Sequence, residues 1–180
     1  MEGTKCAKLL IRRWSDSDDV GALTELLHRA YRKHLEANLN FVAATQTPEH
    51  TARRIARGVC WIAEREQDIV GTAMLEGPGD DDPDDPPLYR NPSVCVLSQF
   101  AVEPRLQGTG IGKALLAKIE SEAIRLGAAT LALDTSERAT DLIRMYERWG
   151  FRIVGFHQWG GNVNYRSVVM SKALVPPVQE

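Results

Sequence analysis

Three glycines at alternate positions, Gly108, Gly110 and Gly112, lie in the run Gln107-Gly108-Thr109-Gly110-Ile111-Gly112-Lys113. An apolar stretch ending at Val102 precedes them. After them, Ile111, Leu115, Ile119 and Ile124 form the buried face of a predicted helix. A turn placed between a strand and a helix in this way is suited to an anion. The first N–H groups of a helix are unpaired, the missing Cβ atoms let the backbone wrap a ligand, and the helix dipole adds positive potential. Phosphate is the guest this chemistry favours. A Walker loop requires four residues between its first glycine and Gly-Lys, then Ser or Thr, whereas Gly108 and Gly112 enclose three residues and Ala114 follows Lys113. A dinucleotide fingerprint starting at Gly108 fails at Lys113, and it would stand at the opening of a βαβ fold, not behind two helices and a hairpin. The plainer alternative is a tight turn whose glycines only let the helix pack, but three of them exceed what a cap needs.

The elements that must position this turn can be read from periodicity and end signals. Lys8 to Arg13 is a short predicted strand, and the capping cluster Ser15-Asp16-Ser17-Asp18-Asp19 starts a helix. In that helix Val20, Leu23, Leu26, Leu27, Ala30, Tyr31 and Leu35 form an apolar stripe, ending near Asn38. Thr47-Pro48-Glu49 opens a second helix that is expected to run to Arg57 and stop at Gly58. Val59 to Glu64 and Ile69 to Glu76 read as a hairpin, and Val94 to Val102 as a central strand covered on both faces. Helix from Gly110 to Leu126, strand from Ala129 to Asp134 and helix from Arg138 to Trp149 follow, then a last pair of strands, Phe151 to His157 and Arg166 to Met170. The order implies an α/β fold, a mixed sheet of about seven strands flanked by four helices, in one domain with a core of about 8–174. The segment 77–93 contains an acidic stretch that is expected to be solvated and mobile, and 175–180 reads as a tail.

The 180 residues are 43% hydrophobic and 26% charged, which suits one core and leaves no room for a second full domain. A formal charge of −2 supplies no bulk positive field, so nucleic acid is not an expected partner. No apolar run reaches the roughly 20 residues of a membrane helix, and Arg12 and Arg13 come too early for a secretory signal, so the expected location is cytoplasmic, away from membranes. Cys6, Cys60 and Cys95 are widely spaced, without a CxxC pair or clustered histidines; they read as ordinary thiols, with no metal site.

The stretch Leu97-Ser98-Gln99-Phe100-Ala101-Val102-Glu103-Pro104-Arg105-Leu106-Gln107-Gly108-Thr109-Gly110-Ile111-Gly112-Lys113-Ala114-Leu115-Leu116 resembles the acyl-CoA-binding motif of the GNAT superfamily of N-acetyltransferases. Leu133-Asp134-Thr135 followed by Met145-Tyr146-Glu147-Arg148-Trp149-Gly150-Phe151 resembles the second conserved block of that family, and the element order agrees. The resemblance implies a fold and a cosubstrate, acetyl-CoA. Backbone amides of Gln107, Gly108, Thr109, Gly110, Ile111 and Gly112, with Lys113, would receive its pyrophosphate, and the fourth strand near Phe100, Ala101 and Val102 would pair with its pantetheine arm and polarise the thioester carbonyl. Tyr146 would be the general acid for the departing thiolate. By spacing alone, Leu142, Tyr146 and Trp149 could equally be core.

Two departures from the family pattern stand out. Some relatives carry a glutamate on the fourth strand, but Val94 to Val102 holds no carboxylate. Glu103, just beyond that strand, and Glu76, at the end of the third, are base candidates that read more readily as solvated surface charges. His28, His34 and His50 are further candidates, the first two placed on the exposed flank of the first helix. Proton removal through ordered water is therefore the expected route. Where many relatives have an asparagine seven residues before Tyr146, this chain has Ala139; Ser136 or Thr135 could take over the pantetheine contact or simply cap the next helix.

The resemblance also gives the first two helices and the last strand pair the acceptor site, so Phe41, Thr45, Gln46 and Trp159-Gly160-Gly161-Asn162 are its candidates, as recognition residues or as lid and core aromatics. The aspartates of 80–85 could steer a cationic amine or merely solubilise their loop. The implied activity is acetyl transfer to the primary amine of a small molecule or amino acid. The alternatives are a protein or peptide acceptor, and a CoA-binding sensor without turnover. Homodimers are common among relatives, and no residue pattern here specifies an interface.

Overall fold

A computed structural model of the chain describes residues 8–78 and 82–175. Cys6, Asp80, Asp81 and the tail beyond Val175 lie outside the described residues. The strands are β1 (Leu10–Arg13), β2 (Gly58–Arg65), β3 (Asp68–Glu76), β4 (Val94–Val102), β5 (Thr130–Ser136), β6 (Arg152–His157) and β7 (Ser167–Ala173), and the helices are α1 (Val20–Glu36), α2 (Pro48–Ile55), α3 (Ile111–Arg125) and α4 (Thr140–Arg148). They make one sheet in the order β1-β2-β3-β4-β5-β7-β6. Only β4 and β5 are parallel neighbours. No helix among the described residues is long and apolar enough to cross a membrane.

Each helix starts where the chain offers a cap. Asp19 accepts from the N–H groups of Gly21 and Ala22 to open α1, and Thr47 accepts from His50 before Pro48 fixes the first turn of α2. α1 lays Leu23 and Leu26 against Cys60, Ile62 and Met74 on one face of the sheet. α3 covers the opposite face, where Ile111, Leu115 and Ile119 pack on Ala63, Leu75 and Leu97. Burial pushes the Cys60 and Cys95 thiols up to about 11, so both stay protonated at neutral pH.

Several boundaries shift for identifiable reasons. α2 stops at Ile55 because Gly58 already belongs to β2, where a Cβ would overlap the Leu75 carbonyl oxygen of the paired strand. Leu35 is exposed and His34 is buried in its place, since the last turn of α1 packs on Tyr31 and Phe41 and not on the sheet. The last two strands are not simply appended, because β7 inserts between β5 and β6. Beyond the undescribed residues, Pro87–Arg90 forms a 3-10 turn that buries Tyr89.

Two irregularities position the site. β4 pairs with β5 only from Val94 to Val96, opposite Thr130 to Ala132, after which β4 follows β3 while β5 follows β7 as far as Ser136. The sheet therefore splits open in its middle. Opposite β3, Thr72 pairs with Ala101 and Met74 with Ser98, so Gln99 and Phe100 together face Ala73 in a bulge, with Gln99 at φ 49°. A buried polar chain braces that unfavourable backbone. Gln46 Nε2 donates to Gln99 Oε1 at 2.8 Å and to Thr51 Oγ1 at 2.7 Å, and Thr24 donates to Thr51 at 2.8 Å.

Gly71 sets how closely α3 sits on the sheet. A Cβ there would lie 3.0 Å from Leu115 and 3.1 Å from Ile111, the first residue of α3. Gly71→Ala is expected to cost about 1–3 kcal/mol in urea unfolding and to shift the amide resonances of residues 108–113 as the helix start is displaced. Unchanged stability and unchanged resonances would show that α3 is not seated this way.

Candidate active site

The turn leading into α3 is held open by its own geometry. Gly108 has φ 81° and Gly110, the N-cap, has φ 92°, a left-handed backbone that glycine adopts without strain. No side chain caps the helix, and its first turn has no acid. Among the described residues the N–H groups of Gly108, Gly110, Ile111, Gly112 and Lys113 have no hydrogen-bond acceptor, while Ala114 N–H begins the helical series at Gly110. These donors, together with the cationic side chains of Lys113 and Arg148, stand at one end of a cleft of about 520 Å³. Such a cradle fits a pyrophosphate. Gln107 Nε2 donates to the Val102 carbonyl at 3.3 Å and Thr109 Oγ1 to the Leu106 carbonyl at 2.6 Å, so both side chains shape the turn.

The cleft continues between the free edge of β4 and α4. Phe100, Ala101 and Val102 line one wall; Leu142, Tyr146 and Trp149 line the other. Gly112 lies close beneath them, where a Cβ would be 3.2 Å from Trp149 and 3.3 Å from Phe100. Tyr146 is 6% exposed, its ring 5.7 Å from Phe151 and 6.0 Å from Trp149. Its hydroxyl has no hydrogen-bond partner among the described residues. Burial, with Tyr31 and Asp134 nearby, raises the Tyr146 phenol well above its ordinary value, so it keeps its proton throughout the neutral range.

A second cleft of about 420 Å³ opens on the other side of the bulge, and Tyr31, Phe100, Leu142 and Tyr146 border both. Tyr146 thus stands where two molecules entering from opposite sides would meet. Tyr31, which sequence periodicity shows only as part of an apolar stripe, donates its hydroxyl to the Phe100 carbonyl at 3.0 Å and ties α1 to the bulge. Burial pushes this phenol up to about 12. Of the acceptor candidates, Phe41, Trp159 and Gly160 line the second cleft; Thr45, Gly161 and Asn162 do not, and Gln46 sits behind it holding Gln99.

The arrangement has clear relatives. Residues 21–151 match the model of the acetyltransferase (GNAT) family. The chain belongs to the GNAT acetyltransferase family. It is 32% identical over 115 residues to human N-acetyltransferase 8B, a match covering 62% of this chain and 48% of that protein. The chain spans about half the length of the curated relatives it matches. The fold is similar to that of the ribosomal-protein-S18-alanine N-acetyltransferase of Escherichia coli (TM-score 0.67, 18% identity, 96% and 99% of the two chains). It is also similar to yncA of Salmonella typhimurium, a putative acetyltransferase solved with its cofactor acetyl-CoA (TM-score 0.67, 20% identity, 95% and 96%).

Against this GNAT frame several residues stand elsewhere than the sequence suggests. Ser136 is fully buried, its hydroxyl accepts from Arg138 N–H at 3.2 Å, and it borders neither cleft. Its neighbour Thr135 does line the second cleft, with a buried hydroxyl that has no hydrogen-bond partner among the described residues. Ile111, by contrast, has its side chain in the core as its place on the apolar helix face suggests. Glu103 is not a solvated charge but is 8% exposed and bonded by Arg29 at 3.0 Å, because α1 crosses the end of β4. Glu76 likewise receives Ser98 Oγ at 2.6 Å and pairs with Arg54 at 3.3 Å and Arg57 at 3.7 Å. His28 approaches the Gln46 carbonyl at 2.8 Å. No group of three or more potential metal ligands occurs among the described residues.

His34, expected on an exposed flank, is buried against Phe41 at the edge of the first cleft. Burial, reinforced by Lys33 and opposed by Asp141, holds its imidazole below the usual histidine range. The unfolded chain then binds a proton here more readily than the folded one. Stability should be fully present above about pH 6.5 and fall as pH drops through the lowered value. Urea titrations between pH 7.5 and 5 should show a smaller acid-side loss in His34→Phe than in the parent; identical profiles would remove His34 from the acid response.

Proposed function

We propose that this chain is an acetyl-CoA-dependent N-acetyltransferase that moves an acetyl group to the primary amine of a small molecule or amino acid by direct attack. The observation that carries this reading is the meeting of the two clefts at Tyr146, one ending in the unpaired N–H groups of the Gly108–Lys113 turn. These residues fit the cosubstrate. The turn's amides and Lys113 bind the pyrophosphate, and the opening between β4 and β5 receives the pantetheine arm against Phe100, Ala101 and Val102. Acetyl-CoA supplies an activated acyl group as a thioester.

The chain's own groups then hold and orient. Backbone donors at the bulge stabilise the negative charge that develops on the thioester oxygen, an effect that is large in a site shielded from water. The neutral amine forms the new C–N bond while the C–S bond breaks. Tyr146 Oη, protonated and free of other partners among the described residues, donates to the departing sulfur, and its proton is restored from solvent. The proton lost by the amine passes to water. Glu76 and Glu103 are committed to guanidinium partners, which supports this route over a dedicated carboxylate base. The same lack of a strand-four carboxylate favours one rival, a CoA-binding module without turnover.

Calorimetric binding of CoA together with thiol release across a panel of amines separates the two. Binding with release for at least one small amine is expected; binding without release for every acceptor would favour the module, and release only with peptides would move the acceptor class. With the best amine, Tyr146→Phe should lower kcat by about 10²-fold with little change in CoA affinity. A full rate across pH would refute the acid role.

A further inference from the structure

The acceptor-side cleft contains a carboxylate that forms no ion pair among the described residues. Asp134 on β5 is half-buried and borders that cleft. Its Oδ1 accepts from Tyr89 Oη at 2.9 Å, and its Oδ2 accepts from Trp159 Nε1 at 2.9 Å and Ser167 Oγ at 2.8 Å. All three donors are neutral. Among the described residues no lysine, arginine or histidine forms an ion pair with it, in contrast to Glu76 on the lining of the same cleft, which pairs with both Arg54 and Arg57. A carboxylate offers about four acceptor positions, so one on Oδ1 remains. A partly desolvated anion in this state gains most from a cation that also donates a hydrogen bond.

The surroundings say what kind of cation fits. All four tyrosines of the chain line the cleft, joined by Phe41 and Trp159. Phe41 and Tyr165 pack at 4.9 Å. Ring faces attract an ammonium through their quadrupole and bury the carbon skeleton it is attached to. Next to Asp134, the buried and unpartnered Thr135 hydroxyl supplies one more polar contact. The charge acts close to the reaction centre, since Asp134 raises the phenols of Tyr31 and Tyr146.

We infer that Asp134 is the counter-ion of the incoming acceptor, and that this cleft selects a primary ammonium carried on an apolar body. The inference rests on the amine-acetylating reading above and narrows its acceptor class. Asp134 holds and orients the ammonium; removal of its proton stays with water.

The test is calorimetric titration of 2-phenylethylammonium and of its neutral isostere 2-phenylethanol into the parent protein and Asp134→Asn, each with and without saturating CoA. The ammonium should bind the parent at least about tenfold more tightly than the alcohol. Asp134→Asn should lose that advantage while its affinities for the alcohol and for CoA are unchanged. Equal binding of the two probes by the parent, or no binding of either, overturns the inference, as does an advantage that survives in Asp134→Asn. Parallel loss of alcohol and CoA binding in the variant would reveal a purely structural carboxylate and also overturn it. The parent comparison stands even if the variant does not fold. A parent that binds the ammonium selectively but not CoA would instead refute the acetyl-CoA reading alone.

Discussion

The structure depends on the parting of two parallel strands. Where β4 and β5 stop pairing after Val96 and Ala132, each has backbone groups that no neighbouring strand can satisfy. A sheet normally avoids such an edge in its interior. Here each strand stays anchored on its other side, β4 to β3 and β5 to β7, so the opening is rigid without being closed. It becomes a channel with hydrogen-bonding walls, and the glycine turn after β4 brings the unpaired N–H groups of α3 to its end.

Keeping that channel in shape requires interactions from remote parts of the chain. The bulge places Gln99 in a left-handed conformation that a side-chain-bearing residue occupies at some cost. Gln46, Thr51 and Thr24 reach it through a buried hydrogen-bond chain, and Tyr31 fixes the next carbonyl. Arg29 on Glu103 fastens α1 to the end of β4, and Lys33 on Asp141 at 2.7 Å fastens it to α4. α1 therefore acts as a brace across both clefts. The exposed Lys33–Asp141 pair contributes little, whereas the buried amide and hydroxyl chain is costly to leave half satisfied.

Charge is divided along the same axis. The chain's formal −2 leaves out the backbone dipoles at the glycine turn, which favour an anion there and add nothing to a residue count. Setting aside the five aspartates of 80–85 moves the total from −2 to +3. On the opposite side, the second cleft has more carboxylates than guanidiniums, with Glu76, Asp82, Asp85 and Asp134 against Arg54 and Arg57. One cleft ends in unpaired N–H groups and the other carries an excess of carboxylates, with the buried Tyr146 phenol bordering both.

Local signals in the sequence determined much of this. Alternate glycines, caps at Asp19 and Thr47, and two-residue and helical periodicities define the seven strands and four helices, the glycine turn before α3 and Tyr146 on its helix, because each is a property of neighbouring residues. The tertiary structure alone decided the rest. β7 displaces β6 from beside β5, His34 takes the inward position left by Leu35, and Glu103 and Glu76 acquire arginine partners. Nothing in the Leu133-Asp134-Thr135 run announces that Asp134 would be met by Tyr89, Trp159 and Ser167, which lie 45, 25 and 33 residues away. A residue's spacing reveals the face it occupies, but its charge balance and burial depend on what the folded chain brings to it from a distance.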